Sequence, residues 1–239
     1  TSAVPGRSSA ESAESDVTTL ADDCATLNGD RTDSSAPHVS KPPSSGSMPR
    51  SPAFIMSPKL QGSLAPEQLN LRNRVQQGDA PGAQALLEAA PSPAKKVWAN
   101  TVDEQGFTLL MEAVALEKLE DSAKTMRVLL KHGANASAAD EDGYSALHWA
   151  AACDNEVAVS ILVAEAHVDI NSRCSARFGT ETPLHRGARM GNVDSVQALL
   201  EHGADLGARS ASNQTADEIA GDYDGRLTLK HRAAIRECL

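Results

Sequence analysis

The sequence predicts an all-α solenoid: helix-turn-helix units with short β-hairpin loops, stacked side by side and preceded by a disordered N-terminal arm. Three observations carry that prediction. The run Thr182-Pro183-Leu184-His185 is followed by Gly187-Ala188, Gly191-Asn192-Val193, Leu199-Leu200 and Gly203-Ala204-Asp205. Degenerate copies begin at Gly106-Phe107-Thr108-Leu109-Leu110-Met111, Gly143-Tyr144-Ser145-Ala146-Leu147-His148 and Asn213-Gln214-Thr215-Ala216, so the anchors Thr108, Ser145, Thr182 and Thr215 stand 37, 37 and 33 residues apart. Finally, residues 1–65 are dense in Ser, Pro, Thr and Asp with hardly any aliphatic run, whereas the apolar pattern is continuous from Pro66 to Leu239. A chain that repeats a unit of that length cannot bury each unit's core alone, and stacks them instead.

In chain order, the arm over 1–65 lacks the apolar surface needed to offset ordering entropy. A capping repeat spans about 66–100: Val75-Gln76-Gln77-Gly78-Asp79, Ala83, Leu86 and Leu87 fit the template without its Thr-Pro-Leu-His signature. Repeats follow at about 103–139, 140–173 and 177–209, with a C-terminal capping repeat over 210–239 whose Leu227, Leu229, Ala233, Ile235 and Leu239 read as a closing helix. In each unit a helix starts where Thr182 or its equivalent caps the first turn and Pro183 loses nothing at the first helical position. Gly133 and Gly203 sit where a left-handed C-cap is wanted. The spacing excess is insertion: about four residues between the helices around Leu116 to Thr125, about one near Ala166-His167, and about three in the Arg173 to Thr180 loop. Loops absorb such lengths at small cost.

A net charge of −10 disfavours binding to phosphate backbones. No stretch approaches the length of a membrane span, and the N-terminus lacks the layout of a signal peptide. Cys24, Cys153, Cys174 and Cys238 are scattered without a C-x-x-C pair, which points to free thiols in a reducing compartment, cytoplasm or nucleus, and to no metal site. The first residue is Thr1, which leaves open a fragment or a processed form.

From its anchors, its Gly-Ala and Leu-Leu positions and its Gly-Ala-Asp turns, the chain resembles the ankyrin-repeat family over about 66–239. Leu109 and Met111 replace the usual Pro and His in the first repeat, and Ala216 and Glu218 do so in the last. The resemblance implies a non-catalytic module binding another protein, with no cofactor, metal, nucleic acid, membrane or small-molecule substrate, and a monomer. It implies that His148 and His185 bridge the Ser145 or Thr182 hydroxyl and a neighbouring backbone. No nucleophile or phosphate-cradling loop accompanies them, so no catalytic residue is expected. It further implies a concave groove, with Phe107 and Tyr144 exposed before the anchor and Glu112, Trp149 and Arg186 exposed just after the Met/His position. Cys153, Arg189 and Met190 lie a turn further along, and Phe178 belongs to the lengthened loop. Aromatic and Arg side chains suit an energetic hot spot. On that reading, Ala at Trp149 and Tyr144 abolishes binding and spares the melting curve; the alternative is that both pack between repeats.

Charges along the groove are mixed: Asp140, Glu141 and Asp142 make one fingertip acidic, and Arg173, Arg177, Arg186 and Arg189 make the next region basic, or else form a solvated rim. Ser51-Pro52, Ser57-Pro58 and Ser92-Pro93-Ala94-Lys95 are candidate proline-directed phosphorylation sites, the last resembling a cyclin-dependent kinase site in the loop ahead of the first full repeat. Ala53-Phe54-Ile55-Met56 is a docking motif or a stray apolar island. Asn171 occupies a hairpin position open to hydroxylation or to simple hydrogen bonding. The leading functional reading is a scaffold or adaptor. Its alternative is a substrate-recruiting or inhibitory module of a larger protein with a catalytic or lipid-binding domain; a hydrolase or transferase acting through the groove is the third.

Overall fold

The computed structural model describes residues 64–222, with the Phe178 side chain excepted among the positions discussed. Ser51, Ser57, the Ala53 to Met56 patch and the expected closing helix therefore lie outside the described residues. Ten α-helices are described: α1 (Pro66–Gln76), α2 (Ala80–Ala89), α3 (Ser92–Ala99), α4 (Leu109–Val114), α5 (Leu119–Lys131), α6 (Ala146–Ala152), α7 (Glu156–Ser160), α8 (Pro183–Met190), α9 (Val193–Glu201) and α10 (Ala216–Asp222). They stack in two rows. One runs α1, α4, α6, α8, α10 and the other α2, α5, α7, α9, with each first helix also packed on its own second helix. Between units the chain turns through short hairpins, and among the described residues these form the isolated bridges Val102 to Thr108 and Ala139 to Ser145. No described helix is long and apolar enough to cross a membrane.

The first helices α4, α6, α8 and α10 begin with the same reciprocal cap, made from different letters. Thr108 Oγ1 accepts the Met111 N–H at 3.2 Å, and the Met111 sulfur accepts the Thr108 N–H at 3.5 Å. In the next two units His148 Nδ1 and His185 Nδ1 accept the Ser145 and Thr182 N–H groups at 3.2 and 3.3 Å. In the last, Glu218 Oε2 accepts from the Thr215 N–H at 2.9 Å. Met111 and Glu218 thus supply the acceptor that histidine supplies elsewhere, which explains how the template tolerates them. The core of the stack is Leu, Ala and Met: Leu109, Leu110, Met111, Leu147, Leu184, Met126, Leu129, Leu162 and Leu199 are all buried.

The insertions are placed differently from expectation. The second helix of the first repeat starts 11 residues after its anchor, at Leu119, as α9 does at Val193 after Thr182, but it runs 13 residues against 9. All four added residues lengthen the helix instead of the connecting loop. Four residues are close to one turn, so Met126 and Leu129 return to the buried face without a change of register.

The single added residue of the second repeat is also taken up by a helix. α7 continues into a π turn over Ile161–Glu165, closed by the Ala166 N–H on the Ile161 carbonyl at 3.1 Å. A π turn is how one extra residue fits into a helix without rotating both ends out of place. His167 then holds the left-handed position (φ 53°) that Gly133 and Gly203 hold in the neighbouring repeats (φ 88° and 87°). That conformation strains a residue with a Cβ. His167→Gly is expected to raise stability by about 0.5–1 kcal/mol, read as a higher urea midpoint at unchanged slope.

The three residues added before Thr182 do form a longer loop, with a 3-10 turn over Ala176–Phe178 and Gly179 left-handed after it. Its base keeps the common geometry. Asp103 and Asp140 each accept two backbone N–H groups at the hairpin base, including those of Phe107 and Tyr144 at 2.7 and 2.8 Å. At the equivalent place the Cys174 sulfur accepts the Glu181 N–H at 3.2 Å.

Ser92, expected in a loop, is the first residue of α3. Proline early in a helix and the Ala, Lys, Val and Trp after it favour the helix that the Ser-Pro dipeptide disguises.

Candidate functional site

The first helices and hairpin tips hold most of the side chains singled out in the sequence, and many of them face along the stack. His148 and His185 are 1% and 0% exposed. His148 Nε2 lies 3.1 Å from the Glu181 carbonyl of the next repeat, and His185 Nε2 3.0 Å from that of Gln214. A carbonyl only accepts, so Nε2 carries the proton and Nδ1 accepts from the Ser145 and Thr182 hydroxyls at 2.9 and 2.7 Å. Burial pushes both imidazoles down, His148 to about 4. Each is a neutral pin from one repeat to the next, with both ring nitrogens engaged and no lone pair free for a substrate.

The exposure expected at Phe107, Tyr144 and Glu112 is overturned: they are 4%, 5% and 7% exposed. Phe107 meets Trp149 of the following repeat edge to face, with centroids 4.8 Å apart and planes at 89°. Tyr144 packs against His148 and lies under the Arg186 guanidinium of the repeat beyond, 4.9 Å from the ring centroid. Rings at this register turn sideways because the neighbouring unit offers apolar area and a cation that water does not. Trp149 is half-buried, and its Nε1–H donates to Asp140 Oδ2 at 3.0 Å. The melting curve of a Trp149 and Tyr144 double Ala variant is therefore expected to fall, contrary to the sequence expectation.

Glu112 faces α1. Its carboxylate pairs with the Arg72 guanidinium, which also reaches Asp103 Oδ2 at 3.3 Å, and all three side chains are buried. Desolvation raises the Glu112 carboxyl to about 7 against the opposing pull of Arg72.

The charge pattern is also more internal than the sequence suggests. Arg173 donates to the carbonyls of Thr180 and Arg209 at 3.1 and 2.7 Å, and Arg189 pairs with the buried Glu181. Asp140 spends both oxygens on its own hairpin and Trp149, and burial raises its carboxyl. What faces outward is narrower: Cys153 is exposed, and Trp149, Arg186, Arg189 and Met190 are half-buried. Trp149 and Arg186 stand four residues after their anchors, Cys153 and Met190 eight, so consecutive helices α6 and α8 present them in register. Burial nonetheless raises the Cys153 thiol to about 11. The thiol therefore stays protonated at neutral pH.

Sequence reasoning missed the asparagines that lock the repeats. Asn155 is buried and donates from Nδ2 to the Val114 carbonyl and Ser122 Oγ at 2.9 and 3.0 Å. Asn192 repeats the role on the Ala151 and Ala152 carbonyls at 2.7 and 2.8 Å. Their identical offset of ten residues from Ser145 and Thr182 was the available signal. Asn171 accepts the Asp205 N–H at Oδ1, 2.9 Å, a hydrogen-bonding role between successive hairpins.

A family model described as ankyrin repeats in three copies matches residues 73–174 and 120–210. Among curated relatives, the chain is 34% identical to ankyrin repeat and SOCS box protein 11 of Danio rerio over 44% of this chain and 33% of that protein. It is 36% identical to ankyrin repeat domain-containing protein 49 of Bos taurus over 29% and 28%. It is 28% identical to a Danio rerio protein named as a palmitoyltransferase, ZDHHC13, over 45% and 22%. The chain thus spans 22% to 33% of the length of these relatives. The family match covers more than half of the sequence, and the anchors Thr108, Ser145 and Thr182 with the paired helices and glycine turns of their repeats fall inside it, so the chain belongs to the ankyrin-repeat family, whose arrays are protein-interaction modules.

Proposed function

We propose that this chain is a non-catalytic scaffold or adaptor that holds a partner protein on the first-helix face of its second and third repeats. The observation that supports it is the in-register set Trp149, Cys153, Arg186 and Met190 at α6 and α8: Cys153 is exposed, and the other three keep part of their surface open although Trp149 and Arg186 also touch the neighbouring repeats. The first repeat contributes less, because Glu112 at the matching position is turned onto Arg72. In this reading 1–65 is an appended arm, 66–239 is the binding domain, and the protein works as a monomer in cytoplasm or nucleus without a cofactor.

Affinity capture with the full chain tests it. Cys153→Arg/Met190→Glu is expected to lose a protein that the wild type and the opposite-face variant Lys124→Glu both retain, while all three melt within a few degrees. Retention by the double variant would sink the proposal. The greater length of the relatives favours a second reading, in which the array recruits a substrate for, or inhibits, a catalytic or lipid-binding domain of a larger protein. The full reading frame separates the two.

A further inference from the structure

We infer that Ser92 is a site of phosphorylation by a proline-directed kinase, and that the phosphate tightens the junction between the N-terminal helices and the first full repeat. Ser92 opens α3, and the two residues before it are extended: Ala90 at φ −66°, ψ 146° and Pro91 at φ −57°, ψ 144°. Ser92 and Pro93 are both exposed, with Lys95 three residues beyond the hydroxyl. α3 buries only Ala99, and its N-cap offers no side-chain acceptor. Its eight residues are too few to hold a helix by themselves. The first turn therefore opens at low cost and presents the extended chain a kinase requires. In the reaction the γ-phosphoryl group of ATP passes to Ser92 Oγ, the bond to the ADP oxygen breaks, and the hydroxyl proton leaves to the kinase's base.

Two features turn the product toward order. A phosphoserine at the first position of a helix lies at the positive end of its dipole, and Lys95 and Lys96 follow at three and four residues. A basic cluster also gathers beside this helix. Lys95 and Lys131 both act on His132, whose buried Nε2 has no hydrogen-bond partner, and Glu88 alone opposes them in that cluster.

The other end of α3 is fastened to the first repeat. Asn100 donates from Nδ2 to the Gly133 carbonyl at 2.8 Å and accepts the Asn135 N–H at 2.7 Å, and the Lys96 stem lies over Gly133. Whatever stiffens α3 therefore stiffens that junction. The inference is independent of the groove and of what binds there.

The test uses the full chain carrying Ser51→Ala and Ser57→Ala, which leaves Ser92 as its one Ser-Pro site. It is incubated with a purified cyclin-dependent kinase and ATP, mapped by peptide mass, and followed by amide hydrogen exchange. Phosphate is expected at Ser92, none after a further Ser92→Ala change, and protection over residues 95–100 is expected to rise about two- to fivefold. That rise should shrink at 1 M salt and in Lys96→Gln. Failure of the folded chain to take phosphate, whether or not a free peptide of residues 86–100 takes it, overturns the inference. So does phosphorylation that leaves protection unchanged or lowers it.

Discussion

Arg72→Met is expected to lower stability at pH 8 by about 3–5 kcal/mol, the cost of leaving buried charge uncompensated. The guanidinium on α1 reaches a carboxylate on the first hairpin, Asp103, and one on α4, Glu112, and none of the three is more than 7% exposed. Methionine fills most of the arginine's volume, so the loss reports the two stranded carboxylates more than a cavity. Asp103 keeps the N–H groups of Gln105 and Phe107 on its other oxygen. Glu112 has less to fall back on, because its Oε2 is buried without a hydrogen-bond partner. The damage should therefore concentrate on Glu112, and Glu112→Gln in the same chain should recover at least 1 kcal/mol of it. Urea denaturation of the four chains of that cycle checks the prediction, and hydrogen exchange in α1 should show where the stack opens. A loss below 1 kcal/mol, or strictly additive variants, would mean that water reaches the cluster and that it does not clamp α1 to the first repeat.

That clamp was not legible in the sequence, and the reason is physical. Arg72 and Glu112 are 40 residues apart, and an ion pair at that distance leaves no periodic trace. What was legible is what repeats. The Thr182 run set the fold class, the anchors set the number of units, and Gly133 and Gly203 marked left-handed caps that the structure has at φ 88° and 87°. Histidine as an inter-repeat pin followed from the family resemblance and holds at both His148 and His185. The errors came where letters alone do not decide direction. Four inserted residues read equally well as a loop or as a turn of helix, and only packing of Met126 and Leu129 chose the helix. An aromatic residue beside an anchor can point outward or along the stack, and Phe107 and Tyr144 took the second course because each finds a partner on the next unit. Ser92-Pro93 read as a break where it is a start.

Acid should affect this array less than its buried histidines suggest, and Glu112→Gln should uncover the difference. The pinned imidazole of His148 is pushed down to about 4, below the ordinary 6.5, so between those values the unfolded chain binds a proton that the folded chain refuses. Stability from His148 is present above pH 6.5 and is lost as pH falls toward 4, at about 1.4 kcal/mol per pH unit. Glu112 runs the other way. Its carboxyl rises from 4.5 to about 7, so over nearly the same window the folded chain binds a proton that the unfolded chain has released, and stability grows as pH falls. The two slopes oppose each other across pH 4.5 to 6.5, and His185, also pushed down, adds to the histidine side. Glutamine at Glu112 keeps a carbonyl for Arg72 and removes the proton uptake, so the histidine slopes stand alone. Urea midpoints at half-unit steps from pH 7.5 to 4.5 should then decline shallowly in the wild type and at least twice as steeply in Glu112→Gln, about 3 kcal/mol in all from His148. Parallel curves for the two chains would show that Glu112 ionises with an ordinary pKa beside Arg72, and that the pair, not desolvation, governs the junction.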